Sequence, residues 1–328
     1  MKLPDQVFLE HVSCPLCGSI NQSEVVFAGR DRLHDLPGEF TVVKCSVCEL
    51  MYTNPRPTPE TIGFYYPENY GPYQSTDISQ VKIARETDGT ASNFLKKILK
   101  LLYRKIIHFN TACLPQVQPG RLLEIGCASG AFLDQMMQSG WDVEGIEFSA
   151  NAADKAIKFG FNVHVGSLET APDPAESFDL IVGWMVLEHL HDPIECLTKL
   201  RRWAKPDTWL VLSVPNAGSL EFSFFRERWY ALQLPTHLCH YTPKTLKKVL
   251  NAGGWETKKI YHQRNLSNLI ASTGHLLYDH GRKQTGRKLI DFPERAGRWH
   301  HLVLYPLAWL LSLAGQTGRM TVWAKAKS

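Results

Sequence analysis

Glu124, Gly126, Gly130 and Glu147 have the types and spacing of a site for a nucleotide-like ligand. In Arg121-Leu-Leu-Glu-Ile-Gly-Cys-Ala-Ser-Gly130 a short apolar run gives way to small residues, then to the apolar-periodic Ala131-Phe-Leu-Asp-Gln-Met-Met137. That order reads as a buried parallel strand, a tight turn and a helix N-terminus whose backbone N–H groups meet the ligand. Gly126 and Gly130 let the backbone approach it, with Cys127, Ala128 and Ser129 between them. A Gly-x-x-x-Gly turn also occurs at ordinary strand–helix junctions, so the acidic residues matter. An unpaired carboxylate inside a strand is costly, and Glu124 is therefore expected to serve bound amines or backbone donors. Glu147 ends a second strand about 20 residues after the glycines, the distance that suits two ribose hydroxyls.

Cys14-Pro-Leu-Cys17 and Cys45-Ser-Val-Cys48 carry a second kind of chemistry. Each pair forms a knuckle presenting two thiolates, and four thiolates close a tetrahedral zinc site with no position left for substrate. Structural Zn2+ on Cys14, Cys17, Cys45 and Cys48 is expected, stapling a unit too small to hold together by burial. Paired disulfides or a redox role are the alternatives. Cys113, Cys127, Cys196 and Cys239 are scattered singly and read as small core hydrophobes.

Proton chemistry has its candidates in Glu188-His189 and in His237 and His240. Histidine titrates in the useful range. Glu188 and His189 leave an apolar strand at its carboxyl end, where open α/β sheets bind substrates. Capping of the next helix is the competing role for His189, and a buried hydrogen-bonding side chain is that for His237. Upstream, Phe64, Tyr65, Tyr66, Tyr70 and Tyr73 form an aromatic cluster, read either as a packed linker or as a lid offering phenols to an acceptor.

The elements that position these groups follow from the pattern of the chain. Residues 1–58 are expected to be the zinc-binding unit and 59–117 a tyrosine-rich linker with a helical cap; 118–328 hold alternating strands and helices, with an insertion at 266–318. Phe94, Ile98, Leu101, Leu102 and Ile106 share one helical stripe, with lysines largely opposite. Thr242-Pro-Lys-Thr starts a helix that Gly253-Gly254 stops. Within the insertion, the apolar run at 302–315 is too short to span a bilayer. It is expected to pack against the sheet or a second subunit, with peripheral membrane contact through 299–315 as the alternative.

A length of 328 residues with 44% hydrophobic content can bury a substantial core, and a net charge of +4 is not the footprint of a dedicated nucleic-acid binder. The N-terminus has no signal-peptide core, so a cytoplasmic protein is expected.

Nicotinamide cofactors and S-adenosylmethionine both satisfy the glycine turn. The downstream motifs decide between them: Ser177-Phe-Asp-Leu-Ile-Val-Gly-Trp-Met-Val-Leu-Glu-His189 resembles the fourth strand and following loop of class I S-adenosylmethionine-dependent methyltransferases. Leu122-Leu-Glu-Ile-Gly-Cys-Ala-Ser-Gly130 is similar to their first motif, and Lys205-Pro-Asp-Thr-Trp-Leu-Val-Leu-Ser-Val-Pro-Asn216 to their fifth strand. The resemblance covers roughly residues 118–265. It implies an α/β, doubly wound, mostly parallel Rossmann-like sheet of seven strands with the last inserted antiparallel, beside the zinc-ribbon-like unit. It also implies cofactor contacts: Glu124 and Gly126 to Gly130 toward the methionine end, Glu147 on the ribose, Phe148 beside the adenine, Ser167 and Leu168 at its rim, and the backbone from Gly183 through Trp184 to Met185 at the amino-acid end.

The order of two Cys-x-x-Cys pairs, Thr53-Asn-Pro-Arg-Pro57, tyrosines and Leu-Glu-His189 is similar to deoxysugar methyltransferases acting on nucleotide-linked sugars. That resemblance places Tyr65, Tyr66 or Tyr70, with Glu188 and His189, at the reacting sugar carbon. The chain lacks the large additional C-terminal domain of those enzymes. The expected activity is therefore methyl transfer to a hydroxyl, or carbon, of a small-molecule, sugar, glycan or lipid-linked acceptor. An RNA base methyltransferase gripping RNA through the zinc unit is the alternative, disfavoured by the few lysines and arginines of that unit.

Overall fold

The computed structural model describes residues 3–67, 113–296 and 298–327. Its centre is a seven-stranded sheet in the order β12-β13-β10-β9-β6-β7-β8. These strands are β6 (Arg121–Ile125), β7 (Asp142–Glu147), β8 (Asn162–Val165), β9 (Phe178–Trp184), β10 (Ala204–Pro215), β12 (Trp255–His262) and β13 (Arg319–Ala326). β6 pairs parallel with β7 and β9, and β9 with β10. β13 runs antiparallel between β10 and β12, as expected from the family resemblance. Strands covered on both faces read as continuous apolar runs, and Leu210, Val211, Leu212 and Val214 of β10 are all buried.

Helices fill the connections: α1 (Ala131–Met137), α2 (Ala150–Lys158), α3 (Pro193–Arg202), α4 (Leu220–Phe225) and α5 (Pro243–Ala252). Their starts are fixed by local side chains, Ser149 accepting from the Ala152 N–H and Asp192 from the Glu195 N–H. Thr242 and Thr245 satisfy each other's backbone N–H groups at the start of α5, so the helix begins where the sequence placed it.

The N-terminal unit is not a separate bead. Beside a two-stranded pairing of β1 (Leu9–Glu10) with β5 (Arg56–Pro57), its sheet is built from β2 (Ser23–Gly29), β3 (Phe40–Cys45), β4 (Met51–Thr53) and β11 (Cys239–His240), in the order β11-β4-β3-β2. β11 arrives from the late segment and pairs antiparallel with β4, Cys239 opposite Tyr52. Cys14, Val43, Cys45, Leu50 and Tyr52 share one apolar core with Leu123, Ile181, Leu246 and Trp255. Sheet and core are continuous between the first 58 residues and the α/β body.

The insertion folds as α6 (Ser267–Asp279), α7 (Lys283–Ile290), α8 (Phe292–Arg295) and α9 (Arg298–Leu313). Gly274 and Gly286 allow α6 and α7 to touch: a Cβ on Gly274 would lie 2.7 Å from the Gly286 carbonyl oxygen. Arg264 Nη1 donates to Tyr305 Oη at 2.6 Å and Ser312 Oγ to the His262 carbonyl at 2.7 Å, tying α9 to the end of β12. Val303, Leu307, Leu310 and Leu313 of α9 stay exposed. Among the described residues no helix is long and apolar enough to cross a membrane. Tyr70, Tyr73 and the expected helix at 94–107 lie outside the described residues.

Candidate active site and metal centre

The turn after β6 carries the features of a pocket for a cationic, nucleotide-like ligand. Gly126 and Gly130 have φ of +69° and +82°, and a Cβ at Gly126 would meet Val186 Cγ2 at 2.7 Å, so glycine is required on both counts. Ala128 sits between them at φ +46°, a left-handed conformation costing an alanine about 1 kcal/mol. It is held there by Glu147, whose Oε2 accepts the Ala128 N–H at 2.9 Å while Oε1 accepts the Ser149 N–H at 2.7 Å. Glu124 is buried, and its Oε2 has no partner. Burial, with the neighbouring Glu147 charge, pushes the Glu124 carboxyl well above its ordinary range. Two buried carboxylates beside one turn fit a positively charged ligand, which would relieve both.

Other residues expected at this ligand divide into three groups. Phe148 is half exposed, its ring 5.8 Å from that of Tyr66, and is open to stack on a flat group. Trp184 keeps a buried Nε1 without a partner, and Met185 has φ +59° with its N–H given to Ser213. Cys127, Ser129 and Leu168 are buried. Leu168 packs its side chain into the main core, whereas Ser167 is partly exposed and within 3.4 Å of Thr170.

At the carboxyl end of β9, Glu188, His189 and His237 come together. A short 3₁₀ turn, Leu187–His189, carries the first two, and the segment before β11 brings His237. Their ligand-type atoms all lie within 4.8 Å of one another, and the two imidazoles meet edge to face at 4.6 Å. Both Glu188 oxygens are buried without a partner, and burial pushes the carboxyl up to about 8. Burial holds His189 down at about 4 and His237 well below its ordinary value. Both rings are neutral at physiological pH. Tyr66 Oη lies 2.8 Å from His189 Nδ1 and bridges this group toward Phe148.

The structure separates residues that the sequence grouped. Tyr65 is core: it packs edge-on against Phe40 and donates to the Pro37 carbonyl, so Tyr66 alone of that pair faces His189. His240 lies in β11 with its Nε2 3.3 Å from Thr53 Oγ1, inside the N-terminal sheet and outside the group of three ligand-type side chains, although its charge reaches His237. Sequence reasoning missed Arg319 at the start of β13, whose charge reaches Glu188, His237 and Glu221 and whose Nε is buried without a partner. An arginine opening an antiparallel strand gave no signal of its own.

The four cysteines form the other centre. Cys14, Cys17, Cys45 and Cys48 bring their sulfurs within 4.8 Å, with Cys14 to Cys48 at 3.4 Å and Cys17 to Cys45 at 3.6 Å. Tetrahedral zinc with bonds of about 2.3 Å spaces its sulfurs by about 3.8 Å, so the donor set fits with little movement.

Seven strands with the last reversed, a glycine turn after the first and an acidic end to the second define the class I methyltransferase type of α/β domain. The chain belongs to the methyltransferase domain family, whose profile matches residues 96–260. Among curated relatives it is similar to the ubiquinone biosynthesis O-methyltransferases of Bordetella avium, 28% identical over 33% of this chain and 48% of that one, and of Paraburkholderia phymatum, 32% identical over 35% and 53%. The chain spans about half the length of these relatives. A solved S-adenosylmethionine-dependent methyltransferase from Mesorhizobium loti is 16% identical, covering 66% of this chain and 94% of that one, with a TM-score of 0.43.

Proposed function

We propose that the protein transfers a methyl group from S-adenosylmethionine to a hydroxyl of a small-molecule acceptor, a sugar or a lipid-linked compound among them. The observation that carries this reading is the convergence of His189 and His237 on Glu188, whose buried carboxyl oxygens have no partner, at the carboxyl end of β9. Family membership supports the donor, and both relatives carry O-methyl transfer in their names, which supports a hydroxyl acceptor.

The donor supplies a methyl carbon made electrophilic by a sulfonium. Glu124 offers its buried carboxylate to the cationic end, Glu147 holds the turn and offers its remaining lone pairs to ribose hydroxyls, and Phe148 presents a face for the adenine. Methyl transfer is an in-line displacement, so most of the enzyme's work is alignment at contact distance. The acceptor hydroxyl sits against Glu188, His189 and His237, and the neutral His189 takes its proton as the oxygen attacks. Tyr66 braces that imidazole through Nδ1. Structural Zn2+ on the four cysteines holds β3 and β4, and through β11 the segment that delivers His237.

Calorimetric titration with S-adenosylmethionine tests the donor, and screening nucleotide sugars, phenols and glycolipids with isotopically labelled donor tests the acceptor. Binding of the donor with label incorporated into a hydroxyl is expected. No heat on titration would overturn the reading.

A further inference from the structure

We propose that Glu188, His189 and His237 form a second metal site, for a divalent transition cation such as Zn2+, at the acceptor end of the crevice. The inference deepens the reading above and rests on that cluster being the acceptor end.

The tautomers carry the first step. His189 Nδ1 lies 2.9 Å from the Thr236 carbonyl oxygen and His237 Nδ1 lies 2.9 Å from that of Ala231. A carbonyl oxygen only accepts, so each Nδ1 bears the hydrogen and each Nε2 keeps its lone pair. Metal-binding histidines are oriented in the same way, by a backbone carbonyl on the nitrogen away from the ion.

The second step is the unmet need of the carboxylate. Both Glu188 oxygens are buried and unpartnered, and Glu188 itself is 1% exposed. A carboxyl oxygen and two imidazole nitrogens within 4.8 Å of one another form a donor set that a cation would satisfy. A proton on Glu188 does not join the pair as it stands, because Oε1 lies 4.0 Å from His237 Nε2, too far for an O–H···N bond. Ligands on a tetrahedral ion with bonds of about 2.0 to 2.1 Å lie about 3.4 Å apart, within a small rotamer adjustment of that gap.

Two imidazoles and one carboxylate favour Zn2+, Fe2+ or Co2+ over Mg2+ or Ca2+, and three protein ligands leave a further position open, unlike the closed four-cysteine centre. Arg319, whose charge reaches Glu188 and His237, repels any cation there, so the three ligand bonds must outweigh that repulsion. With the ion in place His189 would ligate it through Nε2 in place of acting as the base, and the acceptor hydroxyl would take the open position, its O–H bond breaking and the proton passing to water. The bound oxyanion then forms the O–C bond as the S–C bond of the donor breaks.

The test is metal stoichiometry on the full chain, stripped by chelator and titrated with Co2+ under reducing conditions. About two equivalents are expected, one with thiolate-to-metal charge-transfer absorption and one with weak visible bands alone. Glu188→Gln and His237→Asn should each keep the thiolate signal and lose the other equivalent; His189→Asn is the third arm should either fail to fold. Saturation of the wild type at one equivalent, or a second equivalent that survives all folded variants, overturns the proposal. S-adenosylmethionine titrated into the same samples keeps the two readings apart: heat without a second metal removes only the metal site, and a second metal without heat removes only the methyltransferase reading.

Discussion

Glu147 Oε2 accepts the backbone N–H of Ala128 at 2.9 Å, so the last residue of β7 holds the crest of the turn that follows β6. The bond joins the turn after β6 to the end of β7, and it keeps Ala128 at its positive φ. Glu147→Ala should therefore weaken S-adenosylmethionine binding by about 10-fold or more, the usual size for a lost hydrogen bond to a charged group. Calorimetry on the variant checks this. A lowered melting temperature with unchanged affinity would show that Glu147 only braces the turn.

Removing metal should unfold more than the N-terminal unit. Because β11 completes the β2–β4 sheet and Cys14 and Cys45 lie in the main core, the Cys14→Ser, Cys45→Ser double variant should lose zinc and melt about 10 °C lower in one transition. Two resolved calorimetric transitions, with the α/β body unaffected, would contradict the shared core.

On the acceptor side, His189→Ala and Glu188→Gln should cut methyl transfer by about 100-fold or more while leaving donor affinity within about two-fold. Tyr66→Phe removes the phenol that contacts His189 Nδ1 and should give a smaller loss, about 10-fold. Steady-state rates with any acceptor found by screening decide the order, and equal rates for wild type and His189→Ala would remove the histidine from the reaction.

Glu221 gives the protein a pH-dependent stability. Burial raises its carboxyl from 4.5 to about 7, against the opposing Trp229 and Gly318 N–H groups and the Arg319 charge. A carboxyl whose folded value is raised contributes stability that is complete below the unfolded value and lost as pH climbs through the folded one. Up to about 3 kcal/mol should therefore disappear between pH 4.5 and 8, and Glu221→Gln should flatten that slope. Urea unfolding at several pH values reads it; an unchanged slope in the variant would assign the dependence to other groups.

The sequence was enough for whatever depends on neighbours along the chain. Apolar runs set β6, β9 and β10, small residues at 126 to 130 set the turn, Thr242 and Pro243 set the start of α5, and cysteine spacing set the two knuckles. Each is local, because a strand, a turn or a cap is decided within a few residues.

Tertiary structure alone decided which distant groups meet. Two residues, Cys239 and His240, are too short a strand to announce themselves, yet they close the N-terminal sheet and fix His237 beside Glu188. Tyr65 and Tyr66 are adjacent and identical in type, and only packing sends one to the Pro37 carbonyl and the other to His189. Arg319 stands 131 positions after Glu188 and reaches it only because β13 turns back beside β10. Side-chain type determines what a residue is able to do, and the long-range pairing of strands determines what it is given to do it with.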